Sequence, residues 1–125
     1  MDRMTALQAR IQDKKLDGFF VTDTKNVTYL TGFTGEESTL LVTPQKAYFM
    51  TDSRFTEQFK QQVHNAEMIL HQDSMFKAVG KLANRLQLTR IGFEAVHLNY
   101  ADYEAFDLLT QGTLVPTRDF VETQR

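Results

Sequence analysis

The strongest constraint on the fold is an alternation of short strand-like runs with helix-like segments along most of the chain. Phe55, Phe59 and Val63 recur at the spacing of one helical face, whereas runs such as RIGFE are short, apolar and typical of buried strands. Alternating strands and helices predict an α/β fold with helices on both faces of the sheet. The predicted strands are 18–22, 38–43, 47–51, 67–71, 90–94 and 113–117. The first predicted helix contains Met4, Leu7 and Ile11 and stops at Asp17-Gly18. The other predicted helices are 54–63, 75–86 and 100–109.

Two prolines refine this prediction to a mixed sheet of about six strands. Pro44 lies in a three-residue connection, Pro44-Gln45-Lys46, that is short enough for an antiparallel hairpin. Pro116 cannot donate to a sheet ladder, which favours an edge position for the last strand. We therefore predict one α/β domain over 1–117, and a new helix beginning in 118–125 that would link it to a further domain.

Composition excludes several classes of protein. The net charge is −2 without a basic block, which disfavours nucleic acid as a partner. The chain has no cysteine, so it has neither a disulfide framework nor a thiolate metal site. It has no apolar run near the ~20 residues of a membrane span and no signal-peptide pattern. We predict a cytoplasmic protein that binds no membrane.

The stretch NVTYLTGFTGEES, residues 26–38, is unusually rich in glycine and aromatic residues for a connection. It contains neither the G-x-G-x-x-G nor the P-loop pattern, so a nucleotide site is disfavoured. Gly32 and Gly35 would permit turns with positive φ or close approach of another backbone. The simpler alternative is an ordinary turn with Phe33 packed in the core.

Three acidic residues, Asp23, Asp52 and Glu94, stand at the ends of predicted strands. They could hold Mg²⁺ as in a divalent-metal nuclease, but an acid before a helix is more often a cap. The three histidines show no metal-ligand spacing, and no serine lies in a G-x-S-x-G elbow. The residues therefore predict neither a metal site nor a catalytic residue in this chain.

Arg54 stands in the first turn of a predicted helix, where a cation opposes the helix dipole. It should have a compensating anion. That partner is either a nearby carboxylate such as Asp52 or an anionic group of a ligand or neighbouring chain, and the structural ion pair is favoured.

Four ordered segments carry a resemblance to a known family: DGFFVTDTKNVTYLTGFTGEES, FMTDSRFTEQ, IGFE and LVPTRDFVETQR. They resemble the N-terminal domain of the Xaa-Pro peptidases, which are prolidase and aminopeptidase P, with creatinase as a relative. The resemblance extends from about Leu16 to Arg125. It implies a ribonuclease H-like mixed sheet, consistent with the predicted strands and helices.

The resemblance also implies partners and cofactors. It implies a C-terminal pita-bread catalytic domain that holds two divalent metal ions, manganese or cobalt, and a homodimer that cleaves peptides with proline at the second position. None of the five metal ligands of that domain can be placed on this chain. The alternatives that stay open are a peptide- or protein-binding module of a non-peptidase relative and a creatinase-like amidinohydrolase.

The family suggests a role for the glycine-rich stretch, because its dimers use the matching segment to line the substrate entrance of the other subunit. Carried over, Tyr29, Phe33, Gly35 and Glu36 are candidates for shaping that entrance, and Arg54 for an anionic or interface contact. We accordingly expect Thr31–Ser38 to be exposed and mobile, with Phe33 partly in water.

Overall fold

A computed structural model describes residues 2–125, which form one six-stranded sheet with five α-helices. All six predicted strands and all four predicted helices are present, with boundaries shifted by a few residues. In chain order the elements are α1 (Arg3–Asp13), β1 (Gly18–Val21), α2 (Thr24–Thr31), β2 (Thr39–Val42), β3 (Ala47–Thr51), α3 (Thr56–Gln62), β4 (Glu67–Leu70), α4 (Met75–Arg85), β5 (Arg90–Glu94), α5 (Tyr100–Leu109) and β6 (Thr113–Thr117).

The sheet has the strand order β4-β3-β2-β1-β5-β6. Strand β2 is antiparallel to both β1 and β3, while the β3–β4, β1–β5 and β5–β6 pairs are parallel. The hairpin predicted at Pro44-Gln45-Lys46 is therefore confirmed. Because β1, β3, β4, β5 and β6 all run in one direction, their carboxyl ends meet at one edge of the sheet, here called the carboxyl edge.

Two hydrophobic cores flank the sheet, because neighbouring residues of a strand face opposite sides. On one side Phe19 and Val21 pack with the apolar faces of α1, α2 and α3. On the other side Phe20 packs with α4 and α5, and its ring centroid lies 4.7 Å from that of Phe106. Helices therefore cover both faces, as the pattern of the sequence predicted.

The two edges of the sheet are β4 and β6. Pro116 lies in β6 opposite Phe93 of β5, which confirms the predicted edge strand. At the other edge Leu70 is half exposed. Within residues 2–125 no helix is both long and apolar enough to cross a membrane.

Two segments differ from the sequence prediction. The sequence predicts a connection over residues Thr24–Thr31, but these residues form helix α2, with Asp23 as its N-cap and Gly32 as its C-cap. Residues 118–125, here called the C-terminal turn, contain a 3₁₀ helix over Glu122–Gln124 where the sequence predicts the start of a linking helix. Phe120 and Val121 of this turn are buried in the first core, so the segment packs onto the domain.

Candidate functional site at the carboxyl edge

The loop of residues 32–38, called the entrance loop after the role predicted for it, leaves helix α2 at a tight turn. Gly32 has a φ of 84°, in the left-handed region that favours glycine, and its N–H donates to the Thr28 carbonyl. The Thr28 hydroxyl then donates to the carbonyl of Phe33 over 2.6 Å, and the backbone N–H of Phe33 donates to Thr31 Oγ1. These bonds fix the beginning of the loop in one conformation.

The prediction that Phe33 lies partly in water is wrong. Its side chain is fully buried, with ring centroids 4.8 Å from Phe49 and 6.2 Å from Phe55. Gly35 accommodates this ring, since a Cβ at that position would lie 2.6 Å from Cε2 of Phe33. The alternative interpretation, a turn with Phe33 in the core, is correct for this residue.

The rest of the loop is divided between buried and exposed positions. Ser38 at its end and Thr31 just before its beginning are buried, contrary to the prediction. Thr34 is exposed but tied to α3, where its N–H donates to Gln62 Oε1. Glu36 and Glu37 are exposed as expected, so the acidic tip of the loop is accessible.

Tyr29 contacts the N- and C-terminal segments of the chain. Its hydroxyl donates to the carbonyl of Gln124 over 2.8 Å, and the guanidinium of Arg3 lies 4.5 Å above its ring. Tyr29 therefore holds the C-terminal turn against α2. The structure places it in this packing role, while any part in a substrate entrance stays a prediction.

Arg54 is exposed and forms the predicted structural ion pair. Its Nη2 lies 2.7 Å from Oδ2 of Asp52 and 2.6 Å from Oε2 of Glu37. Hydrogen bonds from Arg54 lower the pKa of Asp52 to about 2, and the two carboxylates raise the pKa of Arg54. The two ion pairs connect the end of β3 to the tip of the entrance loop. Arg54 and Glu37 therefore lie next to each other on the surface.

A cavity of about 350 Å³ lies beside this ion pair, where β1 and β3 end and β2 begins. Among the described residues, three side-chain atoms around it are buried without a hydrogen-bond partner, namely Ser38 Oγ, Thr39 Oγ1 and His71 Nε2. Buried polar atoms normally find a partner or an ordered water. Sequence reasoning missed this cavity, because its lining comes from four separate segments.

The three acids at strand ends do not converge on one ion. Asp23 caps α2, accepting from the Asn26 backbone N–H, and Asp52 pairs with Arg54. Glu94 is buried, and its carboxylate accepts hydrogen bonds from the backbone N–H groups of Thr22 and Asp23 and from the side-chain amide of Asn26. Burial raises the pKa of Glu94 despite these donors. The cap and ion-pair interpretations are thus correct for Asp23 and Asp52.

A different group comes together at this edge: Asp23 after β1, His97 after β5 and Glu122 after β6, here called the Asp-His-Glu cluster. One potential ligand atom from each lies within 4.8 Å of the others. Partial burial would lower the pKa of His97, but the carboxylates of Glu122, Asp23 and Glu94 outweigh it and raise that pKa. Sequence reasoning missed the cluster, because Asp23 and His97 follow β1 and β5, and the sequence does not predict that these two strands are parallel neighbours.

The fold defines the class of the protein, which is an α/β domain with a mixed sheet and polar side chains clustered at the carboxyl edge of that sheet. The family described as "Creatinase/Prolidase N-terminal domain" matches residues 3–125. The chain therefore belongs to the creatinase/prolidase N-terminal domain family. The resemblance inferred from the four sequence segments is confirmed.

Individual relatives agree with this membership. The chain is 35% identical over 111 residues to a protein named "Uncharacterized peptidase YqhT" of Bacillus subtilis. A solved Xaa-Pro dipeptidase from Bacillus anthracis superimposes with a TM-score of 0.93 at 28% identity over 98% of this chain. A solved aminopeptidase P from Streptococcus thermophilus gives 0.88 at 33% identity, with 97% of this chain and 94% of that chain covered. The match to the Bacillus subtilis protein covers 88% of this chain but only 31% of that protein. The superposition on the Bacillus anthracis dipeptidase covers 35% of that chain, so this chain spans about a third of the length of these two relatives.

Proposed function

We propose that this chain is the non-catalytic N-terminal domain of a metal-dependent Xaa-Pro peptidase, which hydrolyses the peptide bond preceding proline. The observation that carries the proposal is the family match over 3–125, supported by structural neighbours named as an Xaa-Pro dipeptidase and as aminopeptidase P. The substrates would be peptides with proline at the second position. A pita-bread catalytic domain would complete the enzyme.

The proposed role of this domain is to support a homodimer and to shape the entrance for the substrate of the neighbouring subunit. The exposed acidic tip of the entrance loop supports this role, because Glu36 is accessible and Arg54 holds Glu37 at the surface. Gly35 is half-buried, and its lack of a Cβ lets the loop close over Phe33. Phe33 would thus contribute by supporting the loop from the core rather than by touching a proline ring.

The catalytic metals belong to the proposed catalytic domain. Two divalent ions, manganese or cobalt, would be bound there, and the whole enzyme would work in the cytoplasm. The isolated chain should not hydrolyse an Xaa-Pro dipeptide above a metal-only control.

The test uses the complete enzyme with Arg54→Ala and the control Lys60→Ala, a substitution of an exposed cation on helix α3. A charge-assisted contact at an interface contributes about 1.5–3 kcal/mol, whereas an exposed pair contributes at most about 1 kcal/mol. We expect Arg54→Ala to lower kcat/KM for an Xaa-Pro substrate or to weaken the dimer by at least about tenfold. Equal kinetics, mass and stability of the two variants would refute the proposed contact.

A further inference from the structure

We propose that Asp23, His97 and Glu122 form a binding site for one divalent transition-metal ion of the Zn²⁺ type, with solvent completing the coordination. The proposal does not depend on the proposed peptidase function. It differs from the prediction from sequence that this chain holds no metal, and the experiment below decides between them. Four observations support it, namely the donor set, its geometry, its fixed backbone and its charge.

The donor set combines one imidazole with two carboxylates. Carboxylates alone would favour Mg²⁺ or Ca²⁺, whereas an added imidazole favours zinc and its neighbours in the first transition row. Three protein ligands with a solvent-filled fourth position are a common zinc arrangement. The side chains of His97, Asp23 and Glu122 are 31%, 21% and 23% exposed, which leaves an entry path for an ion and its water.

The distances allow the three groups to converge on one ion after rotation of one side chain. His97 Nε2 lies 2.7 Å from Oε2 of Glu122, and His97 Nδ1 lies 3.7 Å from Oδ1 of Asp23. Ligands at about 2.1 Å from a tetrahedral ion lie about 3.4 Å from one another. The three candidate ligand atoms lie within 4.8 Å of one another, which is close enough for that geometry after a modest approach. Only one ring nitrogen would bind the ion, so one of the two carboxylates has to swing towards it.

The backbone around the cluster is already fixed by hydrogen bonds. The second carboxylate oxygen of Asp23 caps α2 by accepting from the Asn26 N–H, which leaves Oδ1 to face His97. The carbonyl of His97 accepts from the Thr22 hydroxyl over 3.1 Å. Glu122 begins the 3₁₀ helix of the C-terminal turn, directly after the fully buried Val121. Such outer contacts orient metal ligands, and a preformed site binds at a lower entropic cost.

The charge around the cluster also favours a cation. Two carboxylates face His97, and the buried Glu94 stands behind them, attached to the network through Asn26. Arg125 reaches this network, but its Nη1 donates to the amide oxygen of Asn26 instead of to a carboxylate. Negative charge therefore exceeds positive charge at this point, and a divalent ion between Asp23 and Glu122 would correct the imbalance.

Zinc chloride titrated into the metal-free chain by calorimetry tests the site. We compare three conservative variants, Asp23→Asn, His97→Gln and Glu122→Gln, with the control His64→Gln, which alters an exposed histidine outside the cluster. Asparagine is as good an N-cap as aspartate, so Asp23→Asn should keep helix α2. We expect one ion per wild-type chain, at least tenfold weaker binding in each cluster variant, and unchanged binding in His64→Gln.

The visible spectrum of Co²⁺ bound to the wild-type chain gives a readout that needs no variant. A low-coordinate spectrum displaced by one equivalent of Zn²⁺ supports the site, whereas a spectrum of hexaaquo Co²⁺ alone overturns it. Absence of zinc binding by the wild-type chain also overturns the proposal. Undiminished zinc binding in His97→Gln, or an equal loss in His64→Gln, would do the same.

Discussion

Phe33 shows how a loop residue can belong to the core. Its ring packs edge-to-face against Phe49 of β3 and against Phe55, which precedes α3. These partners are more than 15 positions away in the sequence, so local patterning around Phe33 gives no signal of its burial. From the sequence, burial of Phe33 is one of two alternatives. Glycines beside an aromatic residue are compatible with an exposed gate and also with a tight turn that buries the ring.

Phe33→Ala should lower the free energy of unfolding by about 3–5 kcal/mol, because it leaves a cavity against Phe49 and Phe55. Urea unfolding followed by circular dichroism measures this loss. The control is Leu108→Ala, since Leu108 is 86% exposed and its removal should change stability by less than about 0.5 kcal/mol. A loss below about 1 kcal/mol for Phe33→Ala would contradict the observed packing.

Asp52 makes a pH-dependent contribution whose sign follows from its lowered pKa. Arg54 holds the pKa of Asp52 at about 2, below the ordinary value near 4 of an unfolded chain. The contribution is therefore complete above about pH 4 and is lost as the pH falls towards 2. We expect the difference in urea midpoint between the wild type and Asp52→Asn to narrow over that range. A difference that stays constant from pH 5 to pH 2.5 would exclude this linkage, and Asp73→Asn, at an exposed position, serves as the control.

At the scale of elements, the strands were the most predictable part of the chain. Runs such as RIGFE combine β-formers with short length, and their positions follow from the sequence alone. Helix α2 was missed because Val27, Thr28 and Tyr29 have low helix propensity and the helix has only eight residues. Its capping residues were nevertheless recognisable in the sequence, with Asp23 before the helix and Gly32 after it.

The sequence of the C-terminal turn predicts a helix, because local sequence carries no information on the residues against which a segment packs. Phe120 stacks on Phe19 with centroids 4.5 Å apart, Arg10 donates to the carbonyl of Phe120, and Val121 is fully buried. These contacts hold the segment against α1 and β1. They explain why the backbone turns back onto the domain at this point.

Truncation after Thr117 should therefore destabilise the domain by several kcal/mol, because it exposes the surface that Phe120 and Val121 cover. Thermal unfolding of the truncated and intact chains measures the effect. Phe120→Ala in the intact chain should reproduce most of the loss, about 3–5 kcal/mol. An unchanged melting temperature after truncation would mean that residues 118–125 do not contribute to the stability of the domain.

At the scale of the whole molecule, one sheet joins two cores and one edge gathers the polar groups. Each central strand contributes to both cores, as Phe19 and Phe20 of β1 show. The parallel strands bring Asp23, Asp52 and His97 to the same edge from distant parts of the chain. In open α/β sheets the carboxyl edge is the usual place for ligands. The mixed sheet and its hairpin were predictable from the sequence, whereas the order β4-β3-β2-β1-β5-β6 was not, because sequence periodicity carries no information on which strands are neighbours.

The two cores should unfold together, since no strand can leave one core without leaving the other. Leu7→Ala in α1 and Phe106→Ala in α5 remove fully buried side chains on opposite faces of the sheet. We expect each to cost about 2–5 kcal/mol, and the double variant to lose the sum within about 0.5 kcal/mol, because the two sites share no packing partner. Protection of the slowest-exchanging amides in β1, β3 and β5 against hydrogen exchange should fall in both single variants, in proportion to the stability that each loses. Selective loss of protection in α4 and α5 after Phe106→Ala, with α1 unaffected, would show that the two faces are separate folding units.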